Sequence, residues 1–167
     1  MRDLKEIIKD ILIYVIIIVI IILVMKYVIS FQQVVGPSME PNYKSGDLLI
    51  LNKISYRFRD PKRFEVIVLE HEDENYMIKR IIGLPGEKIE YKDEKLYVNG
   101  EEIMENFARG ETDDYSISEL KYEVIPEDYY FVLGDNRGNS KDSRAYGFIN
   151  KKEIVGKVQF RIWPISR

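Results

Sequence analysis

The sequence predicts a mainly β domain, a coiled antiparallel sheet, carried on a single N-terminal transmembrane helix. Three observations predict it. One uninterrupted apolar run lies near the N-terminus, the patterning after it changes to short apolar runs separated by turn residues, and nothing downstream is apolar enough to bury that first run as a core helix. At 167 residues, 46% hydrophobic and 32% charged, the chain suits one folded domain with an appendage. Its net charge of -3 argues against nucleic acid as a partner, and the absence of cysteine excludes disulfide and thiolate chemistry.

The apolar run is "ILIYVIIIVIIILVMKYVI", residues 11 to 29, whose one charge, Lys26, lies near its end. A helix needs roughly 20 apolar residues to cross a hydrocarbon core of about 30 Å. The run is long for a cleaved signal sequence and no small-x-small site follows it, since the only alanines are Ala108 and Ala145. It therefore reads as a retained anchor after a cytoplasmic tail, residues 1 to 10. Arg2, Lys5 and Lys9 precede the run, whereas after Lys26 the next basic residue is Lys44. That asymmetry puts the N-terminus in the cytoplasm and the domain, residues 30 to 167, outside, with a lipid bilayer as partner.

In the domain, "DLLILNKI" (47 to 54), "EVIVLE" (65 to 70), "YMIKRIIG" (76 to 83), "EKIEYK" (87 to 92), "KLYVNG" (95 to 100), "YYFVLG" (129 to 134) and "GKVQFRIW" (156 to 163) read as strands. Asn99-Gly100 and "KDEK" (92 to 95) mark tight turns, so residues 87 to 103 form a small meander. Residues 104 to 126 are polar and weakly patterned. They read as an insertion with one helical turn at Ser118 to Tyr122, completing a hairpin and insertion over 87 to 126.

"GPSMEP" (36 to 41) presents Ser38 just after the anchor. A serine hydroxyl becomes a nucleophile when a base takes its proton. The one histidine, His71, lies in the acidic run "LEHEDENY" and reads as part of a solvated loop. A lysine serves instead if burial favours its neutral amine, and Lys79, among Met77, Ile78, Ile81 and Ile82, is the candidate, with Arg80 on the opposite strand face. An edge charge is the plainer reading of that lysine. A third segment, "GDNRGNSKDSRAYG" (134 to 147), fails as a calcium loop because Arg137 and Tyr146 stand where oxygen ligands belong. Its alternating charges suggest a fixed ion-pair and hydrogen-bond web. No metal or cofactor is expected.

Together, "GPSMEP", "SGDLLIL", "IKRIIGLPGE", "GDNRGNSKDSRAYG" and the closing "FRIWP" resemble the type I signal peptidase family in its bacterial serine-lysine form. The resemblance implies a signal-peptidase-like fold and a serine endopeptidase with Ser38 as nucleophile and Lys79 as general base. It implies that Ser140 hydrogen-bonds the lysine amine, while Asp135 pairs with Arg80 and Asp142 with Arg144. The oxyanion hole would rest on the Ser38 backbone N–H and on that of Gly36 or a water. The substrate would be the Ala-x-Ala end of a signal peptide on a secretory preprotein emerging from the translocation channel, laid as an added strand against Gln33, Val35, Met39, Met77 and Ile78. Two positions depart from the pattern. Asn42 replaces a frequent threonine, which bears on a local turn contact, and Gly36 stands where some members carry a serine that completes the oxyanion hole. A serine at 36 would raise kcat if a donor is missing and harm both kinetic parameters if glycine is needed for its backbone.

Spacing places the nucleophile near the membrane, because an extended chain from Ile29 to Ser38 covers at most about 30 Å. Trp163 and Phe160 are candidates to seat the domain in the interface, although a tryptophan alone is more often core. Rival readings are a self-cleaving repressor relative, which would carry a DNA-reading domain in place of the anchor, a pilus or conjugation maturation peptidase, and an anchored binding module without catalysis.

Overall fold

The computed structural model describes residues 3 to 71 and 74 to 164. Arg2, counted above in the basic flank, and Glu72 and Asp73, in the acidic run after His71, lie outside the described residues. The apolar run forms helix α1, Leu4–Tyr27, 24 residues with a mean hydropathy of 3.1 over its most apolar stretch and no buried residue. At 1.5 Å per residue it is about 36 Å long, enough to cross a hydrocarbon core. It differs from the expected 11 to 29 at both ends. Residues 4 to 10 continue the helix, because Lys5, Glu6, Lys9 and Asp10 are no obstacle to helical backbone. Ile29 instead opens strand β1, Ile29–Gln33, where it pairs with Asn52.

Every strand expected from the sequence is present, with edges moved by a few residues: β2 (Leu48–Asn52), β3 (Val66–His71), β4 (Glu74–Gly83), β5 (Ile89–Lys92), β6 (Lys95–Val98), β9 (Tyr129–Leu133) and β11 (Ile154–Trp163). Both tight turns have the left-handed backbone that two-residue hairpin loops demand, with φ of 49° and 64° at Asp93 and Glu94 and 52° and 86° at Asn99 and Gly100. Strand β7 (Glu101–Ile103) completes the expected meander, whereas two shorter strands, β8 (Tyr115–Ser116) and β10 (Ile149–Asn150), had no readable pattern.

The strands make two antiparallel sheets, one of seven strands in the order β1-β2-β11-β3-β4-β9-β10 and one of four in the order β7-β6-β5-β8. Strand β11 joins the halves of the larger sheet. Its first residues pair with β3 and its later ones with β2, and register shifts after Ile154, Val158 and Arg161 let one strand follow both partners as the sheet coils. A buried cluster of Val34, Met39, Leu49, Leu51, Val66 and Ile78 lies beneath the Ser38 turn. Another, around Ile82, Ile89, Tyr91 and Phe131, cements the small sheet to the large one.

The segment 104 to 126 is more than a polar insertion. Its helical turn falls at Ile117–Leu120, opened by a reciprocal cap between Ser116 and Glu119, and both Ile117 and Ile125 are fully buried in the core.

Short helix α2, Ser55–Phe58, is bound to the sheet through Glu65, which accepts hydrogen bonds from Tyr56, Arg59 and Lys157 of β11. Burial alone would raise this carboxyl, but the bonds from Arg59 and Lys157 and from the Lys62 N–H bring it down to about 2. A carboxyl lowered from 4.5 stabilises the fold fully above that value and loses its contribution as pH falls through about 2. Glu65→Gln is therefore expected to lower the melting temperature at neutral pH and to narrow the gap to wild type below pH 4.5, as thermal melts across that range would measure.

Candidate active site

Strand β4 carries Lys79 opposite Ile67 of β3, near the middle of the larger sheet. The sequence folds that way because Met77, Ile78, Ile81 and Ile82 are all buried, drawing the whole strand inward and the lysine with them. Lys79 is 4% exposed, and its Nζ donates to Ser38 Oγ at 3.1 Å. Ser38 lies in the turn after β1, held below by the 1% exposed side chain of Met39. The two residues expected to react are thus brought into hydrogen-bond contact across 41 positions of sequence.

The web expected over 134 to 147 fastens this arrangement. Fully buried Asp135 accepts from Arg80 Nε at 2.8 Å and Nη2 at 2.6 Å, and from the Asn42 amide at 2.8 Å. One carboxylate thereby links the residue beside the lysine to the turn beyond the serine. Asn42 also donates to the Phe107 carbonyl, so its contacts are long-range, correcting the expectation of a local turn contact only. The backbone N–H of Asn136 donates to the Ser38 carbonyl at 3.0 Å and its side chain to the Pro37 carbonyl at 3.1 Å. Asp142 pairs with Arg144 at 2.9 Å and accepts from the Gly134 N–H at 3.1 Å. Removing one partner from a buried pair such as Arg80–Asp135 typically costs about 3 to 5 kcal/mol.

Ser140 is a correction. Its Oγ is buried and makes no hydrogen bond among the described residues, so the expected bond to the Lys79 amine is not formed. The reason is packing against Gly134. An added Cβ on that glycine would lie 2.2 Å from Ser140 Oγ and 2.5 Å from the Ser38 carbonyl oxygen, so this backbone is the surface on which both serines rest.

The reading of His71 as a solvated loop residue is also revised. It ends β3, packs its ring at 4.9 Å from Tyr146 and places Nδ1 3.6 Å from Glu153. It lies four residues along β3 from Ile67, the partner of Lys79, about 13 Å of strand away.

Sequence reasoning missed a second buried web. Arg137 donates to Glu105 at 2.6 and 3.0 Å, to Thr112 and Tyr91 hydroxyls and to the Gly134 carbonyl. Burial of Tyr91 beside Glu105 pushes its hydroxyl well up, so it stays a neutral donor. Composition gave a hint, since an arginine inside a turn-rich segment needs a carboxylate, but nothing local pointed to Glu105.

A cleft of about 260 Å³ opens beside Ser38 and Lys79. Gln33, Val35, Met39, Met77 and Ile78 all line it, together with Lys141 and Tyr146, which the sequence did not suggest. Val35, 84% exposed, stands at its rim, whereas Met39 reaches it from the core. Gly36 borders the cleft at φ +85°, and a Cβ there would meet no atom within 4 Å. Backbone strain, not space, decides its substitution. A serine forced into the left-handed region costs about 1 to 2 kcal/mol, so Gly36→Ser is expected to lower kcat and raise KM together in steady-state assays. A higher kcat would restore the missing-donor reading.

A family model described as "Signal peptidase, peptidase S26" matches residues 4 to 163. The chain is similar to signal peptidase I of Bacillus caldolyticus, 42% identical over 151 residues covering 84% of this chain and 83% of that one. Signal peptidase IB of Staphylococcus aureus is 39% identical over 155 residues, covering 84% and 81%. Among solved structures, a signal peptidase I from Enterococcus faecalis V583 aligns with a TM-score of 0.56 at 35% identity, covering 60% of this chain and 98% of that one.

Proposed function

Since the chain belongs to the signal peptidase, peptidase S26, family of peptide hydrolases, we propose that it cleaves signal peptides from secretory preproteins after an Ala-x-Ala site, using Ser38 and Lys79. The observation that carries this reading is the 3.1 Å contact from a buried lysine amine to the hydroxyl of a serine at the end of a strand-lined cleft. Burial disfavours the ammonium form, and the neutral amine is a base at working pH.

The amine takes the Ser38 proton as Oγ attacks the scissile carbonyl, and the tetrahedral oxyanion faces the N–H groups of Ser38 and Gly36. Neither of these N–H groups donates a hydrogen bond to another described residue, which leaves both for substrate. Lys79 then gives its proton to the leaving amine, and the acyl-enzyme is released by a water that Lys79 deprotonates. Residues 32 to 37 and 76 to 78 flank the cleft and run toward the dyad, so an extended peptide between them brings its carbonyl to Ser38.

Anchoring by α1, with the N-terminus cytoplasmic and the domain outside, would hold this cleft at the depth where a signal peptide leaves the bilayer. Phe31 and Phe160 both stand opposite Ile50, forming one row across β1, β2 and β11, and they are exposed, as is Trp163 at 65%. That supports the interfacial reading of Trp163 over the core one.

The test is incubation of the purified full chain with a preprotein bearing one Ala-x-Ala site and N-terminal sequencing of the product. The expected result is a single cut after the second alanine, absent with Ser38→Ala and when that alanine is replaced by a bulky residue. Cleavage by the Ser38→Ala protein, or none by wild type, would contradict the proposal.

A further inference from the structure

A second cavity lies where α1 meets the domain and, at about 520 Å³, is larger than the substrate cleft. The chain is net acidic, yet Lys26, Lys53, Arg57, Lys151 and Lys152 line this cavity against one carboxylate, Asp128. The cations come from the end of the anchor, the segment after β2, α2 and the 3-10 helix Lys151–Glu153, so only the fold assembles them. In sequence the same flank of the anchor shows Lys26 alone.

Part of this charge has a local explanation. Lys53 Nζ donates to the Lys26 carbonyl at 3.1 Å, and its backbone N–H to the Val28 carbonyl at 2.9 Å, meeting the negative end of α1. Lys151 pairs with Asp60 at 2.6 Å. Arg57 and Lys152 are not explained in that way, and gathering like charges around one hollow is unfavourable unless an anion enters. The remaining walls are amphipathic, with Tyr27, Tyr56, Ile154 and Val155 beside the cations. Lys26 and Tyr27 close the transmembrane run, at the level where lysine and tyrosine sit in the headgroup layer.

We infer that this cavity binds the phosphate of an anionic phospholipid headgroup, clamping the catalytic domain to the membrane surface at the end of its anchor. The inference rests on the membrane-anchored reading above. The cations would take the phosphodiester, and the tyrosine rings and Ile154 would border the glycerol and the first acyl carbons. Anion capture here would fix how the domain is tilted relative to α1, and so the height of the cleft.

The experiment reconstitutes the full chain in mixed phosphatidylglycerol and phosphatidylcholine vesicles and measures which lipid remains with the protein after mild extraction. Wild type is expected to retain phosphatidylglycerol preferentially. Arg57→Gln with Lys152→Gln should weaken that retention by about fivefold per cation removed. A control pair on the small sheet, Lys88→Gln with Lys92→Gln, changes net charge equally and should retain lipid as wild type does. Equal losses in the two pairs, or no lipid preference in wild type, would overturn the site. Displacement of the lipid by millimolar inorganic phosphate would assign it to free phosphate and overturn the lipid reading. Flotation with pure phosphatidylcholine vesicles reports anchoring separately. A protein that floats but shows no preference overturns this inference alone, and one that does not float overturns the anchored reading with it.

Discussion

Lys79→Arg is expected to lower kcat/KM by at least about 10³-fold, within the range ascribed to general acid–base catalysis, while the protein remains folded. A guanidinium does not deprotonate at working pH, so it could hydrogen-bond Ser38 Oγ without accepting its proton. Because Lys79 is 4% exposed, the larger arginine also strains its surroundings. Lys79→Met separates the two effects: it keeps the packing volume, removes the amine and with it the cost of burying a polar group, and should melt no lower than wild type while being equally inactive. Lys79→His should be inactive as well, since the shorter imidazole side chain does not reach the position from which Nζ contacts Ser38 Oγ. Melts and peptide hydrolysis on the three variants check this. Activity near wild type in any of them removes Lys79 from the reaction.

Gly134→Ala is expected to give the second largest loss, at a residue that carries no reactive group. The added methyl would approach Ser140 Oγ to 2.2 Å, the Ser38 carbonyl oxygen to 2.5 Å and Ser140 Cβ to 2.6 Å. A side chain can rotate away, but the Ser38 carbonyl belongs to the backbone of the nucleophile turn and is already bonded to the Asn136 N–H. Relief of the overlap must therefore move Ser38. Misplacing a reacting atom by about 1 Å costs on the order of 10²-fold in rate, and overpacking costs about 1 to 3 kcal/mol of stability. Adding Ser140→Gly removes two of the three overlaps and should recover stability more than kcat. If the single variant kept full kcat, the tight seat of Ser38 on Gly134 would be wrong.

Much of the fold was legible because it is local. Runs such as "EVIVLE" and "YYFVLG" announce buried strands by composition, and Asn99-Gly100 announces its turn because asparagine and glycine readily take the left-handed backbone. Strand β1 was not legible, because Ile29 continues an apolar run whose end is set by pairing with Asn52, a partner far along the chain. Strands β8 and β10 are two residues each and exist only through their neighbours.

The site divides along the same line. Ser38 and Lys79 stood out as candidates because a serine directly after Gly36-Pro37 and a lysine among isoleucines are each unusual where they stand, and the resemblance supplied their roles. The bonds from Asn42 to Asp135 and from Arg137 to Glu105 join segments 93 and 32 residues apart, and no local pattern records them. Ser140 was placed by resemblance, and the seat that Gly134 offers both serines depends on close backbone approach, which sequence does not display.

The most direct test of the dyad is covalent labelling of the full chain with a penem-type acylator, followed by peptide mapping across pH in wild type and Lys79→Met. The predicted result is a single adduct on Ser38 that forms faster as pH rises and the amine loses its proton, with labelling of the Lys79→Met protein slowed at every pH. An adduct on another residue, or equal labelling of Ser38 with and without the lysine amine, would contradict it.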